Sequence, residues 1–152
     1  MSGLTSKYLE DFGKKVCNFF VGVYPCDLTP NIKNLDVFTV IFNESKHNED
    51  GTHFVCVYAD KKDIILFDSL GLKCENPFII NFLKSSGRTI IETRHQIQSF
   101  DSIFCGYFCL GFILFMCEKK NINSFFSVFH KTNLKLNDKI IIDMIILLIN
   151  NQ

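Results

Sequence analysis

The segment that most restricts how this chain can fold is its longest apolar run, Ile103 to Cys117, inside the stretch SIFCGYFCLGFILFMCEKK (Ser102 to Lys120). It is too short for the ~20 residues a membrane-spanning helix needs. A helix of this composition has no polar face to turn toward water, so it must lie at the centre of a fold with other elements packed around it. The second apolar run, Ile140 to Ile149, is interrupted by Asp143 and is also read as a core helix. A chain of 152 residues supplies enough surrounding structure for one such domain, expected to occupy residues 1–152.

Two features of the composition limit what that domain can do. Net charge is zero, and because phosphate neutralisation dominates affinity for nucleic acid, charge does not support a nucleic-acid cofactor. Seven cysteines are an odd number for a disulfide framework. The charged, amphipathic start MSGLTSKYLEDFGKK does not read as a secretory signal, so reduced thiols are expected, with Cys17, Cys26, Cys56, Cys74 and Cys117 as core or incidental residues. Metal binding is not expected: Cys105 and Cys109 share a helical face, but no tight pair of ligands of the zinc type accompanies them. No membrane partner and no cofactor is expected either.

Leu4, Tyr8, Phe12, Val16 and Phe19 recur at helical spacing. The stretch GVYPCDLTP, with Pro25 and Pro30, reads as an extended loop. Strands are expected at Asp36 to Asn43, His53 to Ala59, Asp63 to Ser69 and Arg88 to Arg94, the second and third joined as an antiparallel hairpin. Pro77 opens a helix to Ser85. The long apolar helix is expected to end near Glu118 to Lys120, where lysines suit its negative end. A short helix around FFSVFH and a last one from Lys139 to Ile149 complete an α+β fold: a small central antiparallel or mixed sheet flanked by helices, with one helix buried inside.

Cys105 stands at the first turn of that buried helix. Unpaired N–H groups there carry partial positive charge and favour an anion, which biases a thiol toward the nucleophilic thiolate. Gly106 would leave one side of the sulfur open to a substrate, and the backbone N–H groups would face an oxyanion. A small core hydrophobe is the plain alternative for Cys105. A nucleophile needs a base and the base needs an orienting acceptor. His53 opens one strand of the hairpin and Asp68 ends the other, fifteen residues later, which makes them cross-strand neighbours. Gln98, seven residues before Cys105, could donate its amide to the same oxyanion.

The set THF, FDSLG and QSFDSIFCGYFC resembles the adenovirus maturation protease, adenain, and its wider clan, which includes the SUMO-specific proteases and the capsid-processing proteases of several large DNA viruses and virophages. The order His, acidic residue, Gln, Cys is that of the clan, and CGYFC is similar to the adenain pattern around the nucleophile. FFVGVYPCD is similar to a loop near the N-terminus of virophage proteases. The resemblance implies Cys105 as nucleophile, His53 as general base and acid, Asp68 as its orienter, and Gln98 with the Cys105 backbone as oxyanion donors. Phe54, where the clan usually has Trp, and Gly106 are implied in substrate binding. It further implies a monomeric endopeptidase that cleaves capsid or other viral precursor proteins after Gly or Ala, inside the host cell or packaged in the virion. A deubiquitinase or deSUMOylase with the same chemistry, or a non-catalytic interaction module, are the alternatives.

Overall fold

In a computed structural model, residues 2–118 and 121–151 are described. Five strands form one mixed sheet in sequence order: β1 (Phe20–Pro25), β2 (Phe38–Asn43), β3 (Phe54–Ala59), β4 (Asp63–Phe67) and β5 (Thr89–Glu92). β3 is antiparallel to both its neighbours, β2 and β4, while β1 pairs in parallel with β2 and β5 in parallel with β4. The helices are α1 (Ser6–Val16), α2 (Pro77–Ser85), α3 (Cys105–Glu118), α4 (Ile122–Ser127) and α5 (Leu134–Asn150).

The central strands are buried on both faces, which is why β2 and β3 read as nearly unbroken apolar runs rather than alternating ones. One face, with Phe38, Val40, Val57 and Leu66, packs on Ile79, Phe82 and Leu83 of α2. The other, with Ile41, Cys56 and Phe67, packs on α3, and α1, α4 and α5 close around that helix. Leu110, Phe112 and Ile113 of α3 are wholly inaccessible. An apolar circumference has found the only environment it tolerates. The expected lysine-rich end of this helix lies partly outside the described residues, since Lys119 and Lys120 are not among them.

Three expectations need correction. GVYP belongs to a strand, β1, and not to a loop. Gly22, at φ +152°, sits in a register shift between Phe20 and Val23, and the carboxylate of Glu10 from α1 accepts the Val23 N–H at 3.0 Å. The irregularity hides the strand from its sequence, and a helix side chain supplies the missing acceptor. Second, α5 starts five residues earlier than its apolar pattern, capped by the Asn133 side chain. Third, the thiols are not all reduced: Cys17, just after α1, is bonded to Cys117 near the end of α3, across a separation of 100 residues, and the other five cysteines are free.

Candidate active site

His53, Asp68 and Cys105 each stand at the mouth of a rigid element. His53 immediately precedes β3, and its carbonyl still accepts the Glu44 N–H at 2.9 Å, so it is held as an extension of the ladder. The loop before it is fixed by Asn43, whose side-chain oxygen accepts the Ser45 N–H at 2.9 Å, and by a 2.9 Å hydroxyl pair, Ser45 with Thr52. Asp68 immediately follows β4. The pairing of Cys56 with Phe67 carries the register on toward His53 and Asp68, which meet diagonally across the hairpin. Phe67, next to Asp68, stacks on Phe112 of α3 with ring centroids 4.6 Å apart, which fastens the end of β4 to the helix that carries Cys105.

The imidazole Nε2 of His53 lies 2.7 Å from Asp68 Oδ1. That oxygen also accepts the Leu70 N–H at 2.9 Å. Cys105 acts on the same imidazole, and the two residues line one groove. Burial works against charge on His53, but the hydrogen bonds to Asp68 and Cys105 and the charges of both outweigh it and raise its pKa to about 10. The ring is therefore an imidazolium at neutral pH.

Gln98 is buried, at 1 % exposure, and is locked by the turn after β4. The Ser69 carbonyl accepts the N–H groups of Ile97 at 2.9 Å and Gln98 at 3.0 Å, and the Ser69 hydroxyl donates to Gln98 Oε1 at 2.5 Å. Gly71 makes this docking possible: its φ is +69°, and a Cβ there would lie 2.6 Å from the Gln96 nitrogen. The residue that orients His53 and the loop that presents Gln98 are thus one folded unit.

An open groove of about 460 Å³ runs over these groups, with His53, Phe54, Leu70, Gln98, Cys105 and Gly106 among its lining residues. Five of the six expected site residues line it, and the sixth, Asp68, is bonded to His53. Gly106 has a packing role beside its place in the groove. A Cβ there would meet Leu4 and Leu9 at 3.3 Å, so its smallness also lets Leu4 and α1 pack closely against α3. Ser69, Ser102 and Asp138, all within the Gln98 network, were invisible as a group in the sequence. The available signal was a polar position, Asn137, in the buried stripe it shares with Ile141 and Ile145.

No family model matches the sequence. The chain is similar to the protease of bovine adenovirus 7, 26% identical over 142 residues, covering 82% of this chain and 70% of that protein. Among solved structures it is similar to the ASFV pS273R protease, with a TM-score of 0.47 and 18% identity over 68% of this chain, and it spans 43% of the length of that one. With a cysteine at a helix mouth near a His–Asp pair, and with this similarity to an adenovirus protease, the chain is read as a protease of the cysteine type.

Proposed function

We propose that the chain is an endopeptidase that cleaves capsid or other viral precursor proteins during virion maturation, with Cys105, His53 and Asp68 as its catalytic triad. The single observation that carries this reading is the imidazole of His53, bonded at 2.7 Å to Asp68 and lining one open groove together with Cys105.

The chemistry follows from that arrangement. The Cys105 thiolate attacks the scissile carbonyl, forming a C–S bond and a tetrahedral oxyanion, which the Cys105 backbone N–H and the Gln98 amide stabilise. Collapse expels the amine, which takes its proton from the His53 imidazolium and leaves a thioester on Cys105. Water then attacks the thioester, giving up a proton to the now neutral His53, and a second collapse releases the acid and restores the thiolate and the imidazolium. Asp68 holds the ring orientation and the imidazolium charge throughout. Cleavage after Gly or Ala, action as a monomer, and work within the host cell or particle are part of this proposal, supported by the adenain-like residues around Gln98 and Cys105.

The test is hydrolysis of internally quenched peptides containing Gly-Gly or Ala before the scissile bond, alongside ubiquitin- and SUMO-based activity probes. The expected result is peptide cleavage that Cys105→Ala abolishes while its thermal unfolding stays that of the parent. Labelling by the ubiquitin or SUMO probes in preference to peptide cleavage would move the substrate class to host isopeptides. Full cleavage by Cys105→Ala would overturn the triad.

A further inference from the structure

Gln98 is held from both sides, and the second hold comes from an element with no other part in the site. Its Nε2 donates to the Ser102 carbonyl at 3.0 Å and to the Ser102 hydroxyl at 3.2 Å, and for the amide to serve an oxyanion as well these two acceptors must share one of its two hydrogens. That hydroxyl also accepts the Phe104 N–H at 3.3 Å, one residue before the nucleophile, and lies 2.9 Å from Asp138 Oδ1 on α5. A serine hydroxyl has one proton and two lone pairs. Gln98 Nε2 and Phe104 N are donors and occupy the lone pairs, so the proton must go to Asp138. The direction of every bond is thereby fixed: carboxylate, hydroxyl, amide, and at the far end of the amide the Ser69 hydroxyl donating to Oε1.

The neighbouring residue strengthens the same attachment. Asn137 is fully buried, donates to the Ile97 carbonyl at 2.9 Å and to the His130 carbonyl at 2.8 Å, and accepts the His130 N–H at 2.7 Å. The first turns of α5 therefore grip the residue before Gln98 as well as the serine that receives its amide. Asp138 is faced by Lys135 on its own helix and by Asp101 on the loop, and these two are 3.7 Å apart. Burial pushes the Asp138 carboxyl up from its ordinary value, and the bond from Ser102 opposes that.

We propose that Asp138, acting through Ser102, is a positioning residue that sets the plane of the Gln98 amide for the oxyanion. The inference rests on Gln98 serving as the oxyanion donor. Without an acceptor at position 138 the Ser102 proton has to turn elsewhere, its lone pairs rotate away from Nε2, and the amide is no longer held in one plane. The His53–Cys105 pair does not pass through this chain of bonds and is left as it was.

The experiment exploits a difference between two reactions of one sulfur. Alkylation by iodoacetamide needs the thiolate but forms no oxyanion, whereas amide hydrolysis needs both. The full chain carrying Asp138→Ala, Ser102→Ala, both together, or Asp138→Asn is compared for kcat and KM on the Gly-Gly peptide, for the rate of Cys105 alkylation, and for thermal unfolding. Expected for Asp138→Ala is a loss in kcat of about 10-fold, part of the 10²–10³ that removal of a whole oxyanion donor costs. KM and the alkylation rate should stay within about twofold of the parent. Asp138→Asn, whose amide oxygen still accepts from Ser102, should recover most of the loss. The double variant should be no worse than either single one, since both break one chain of bonds; Ser102→Ala alone, expected to show the same loss in kcat with the alkylation rate kept, carries the test should Asp138→Ala not fold. Parent kcat in Asp138→Ala, or kcat and alkylation falling in parallel, would overturn the positioning role. An undiminished kcat in Gln98→Ala would instead break the oxyanion assignment on which it rests.

Discussion

The link from Cys17 to Cys117 makes a prediction that can be worked in numbers. The two cysteines are 100 residues apart, so the bond forbids most of the unfolded chain's large excursions. On the chain-entropy account a loop of that size contributes about 4.7 kcal/mol at 25 °C. Against the roughly 5–15 kcal/mol that keeps a domain folded, that is a third or more of the total. With a urea dependence of about 2 kcal/mol per molar, the unfolding midpoint should fall by about 2 M when the bond is reduced or replaced by Cys17→Ser with Cys117→Ser. The same loss should lower Tm by about 10–20 °C. Function should respond differently. Cys117 is near the end of α3 opposite Cys105, about 18 Å away at 1.5 Å per residue, so the double variant should keep the parent's kcat at low denaturant. The assay is urea unfolding followed by circular dichroism, with and without dithiothreitol, on the parent and on the double variant. The reasoning fails if reductant leaves the parent's midpoint where it was, or shifts the double variant as much as the parent.

Three further outcomes are expected. Asp68→Asn keeps the shape of the carboxyl but removes the charge that holds His53 protonated, so peptide kcat should fall on the order of 10²–10⁴-fold with little change in KM, read by steady-state kinetics. Gly71→Ala combines a left-handed backbone with a Cβ driven toward Gln96, and should cost roughly 1–3 kcal/mol in urea unfolding while also lowering kcat, because the displaced segment leads into Gln98. Stability should depend on pH through His53: its folded pKa of about 10 lies above the unfolded 6.5, so the contribution is complete below about pH 6.5 and is lost as pH rises through about 10. The difference in urea midpoint between the parent and His53→Ala, measured from pH 6 to 10.5, should shrink accordingly; a difference that grows with pH would contradict the sign.

The parts of the fold that could be read from residues are those in which one local rule decides. The apolar circumference of α3 permits one placement, and the β3–β4 hairpin fixes its own register through a short polar connection, which is why His53 and Asp68 could be paired before any coordinates. β1 was missed because its two visible signals, Gly22 and Pro25, are loop signals. What makes it a strand is a parallel neighbour and the carboxylate of Glu10, neither of which is local. The start of α5 was missed for a similar reason: Leu134 to Asp138 is largely polar, and it is helical because Asn133 caps it and Asn137 is spent on the backbone of Ile97 and His130. The disulfide was illegible because the spacing of two cysteines does not show that their helices run side by side.

The same distinction explains how the site is built. A pair of buried charges is costly to assemble, and His53 and Asp68 keep only 13% and 7% of their side-chain surfaces exposed. Each charge is tolerated because its partners are held by elements that cannot drift: Asp68 by the Leu70 N–H and the stack of Phe67 on Phe112, His53 by the β2–β3 ladder, Cys105 by a helix buried on every side. The apolar helix and the thiol at its mouth are therefore two aspects of one design. A helix that must be buried along its length has only its end available to meet a substrate, and that end is where its unpaired N–H groups favour an anion. Rigidity of the mount, charge at the mouth and the exposed groove all follow from placing the most hydrophobic stretch of the chain immediately after the reactive sulfur.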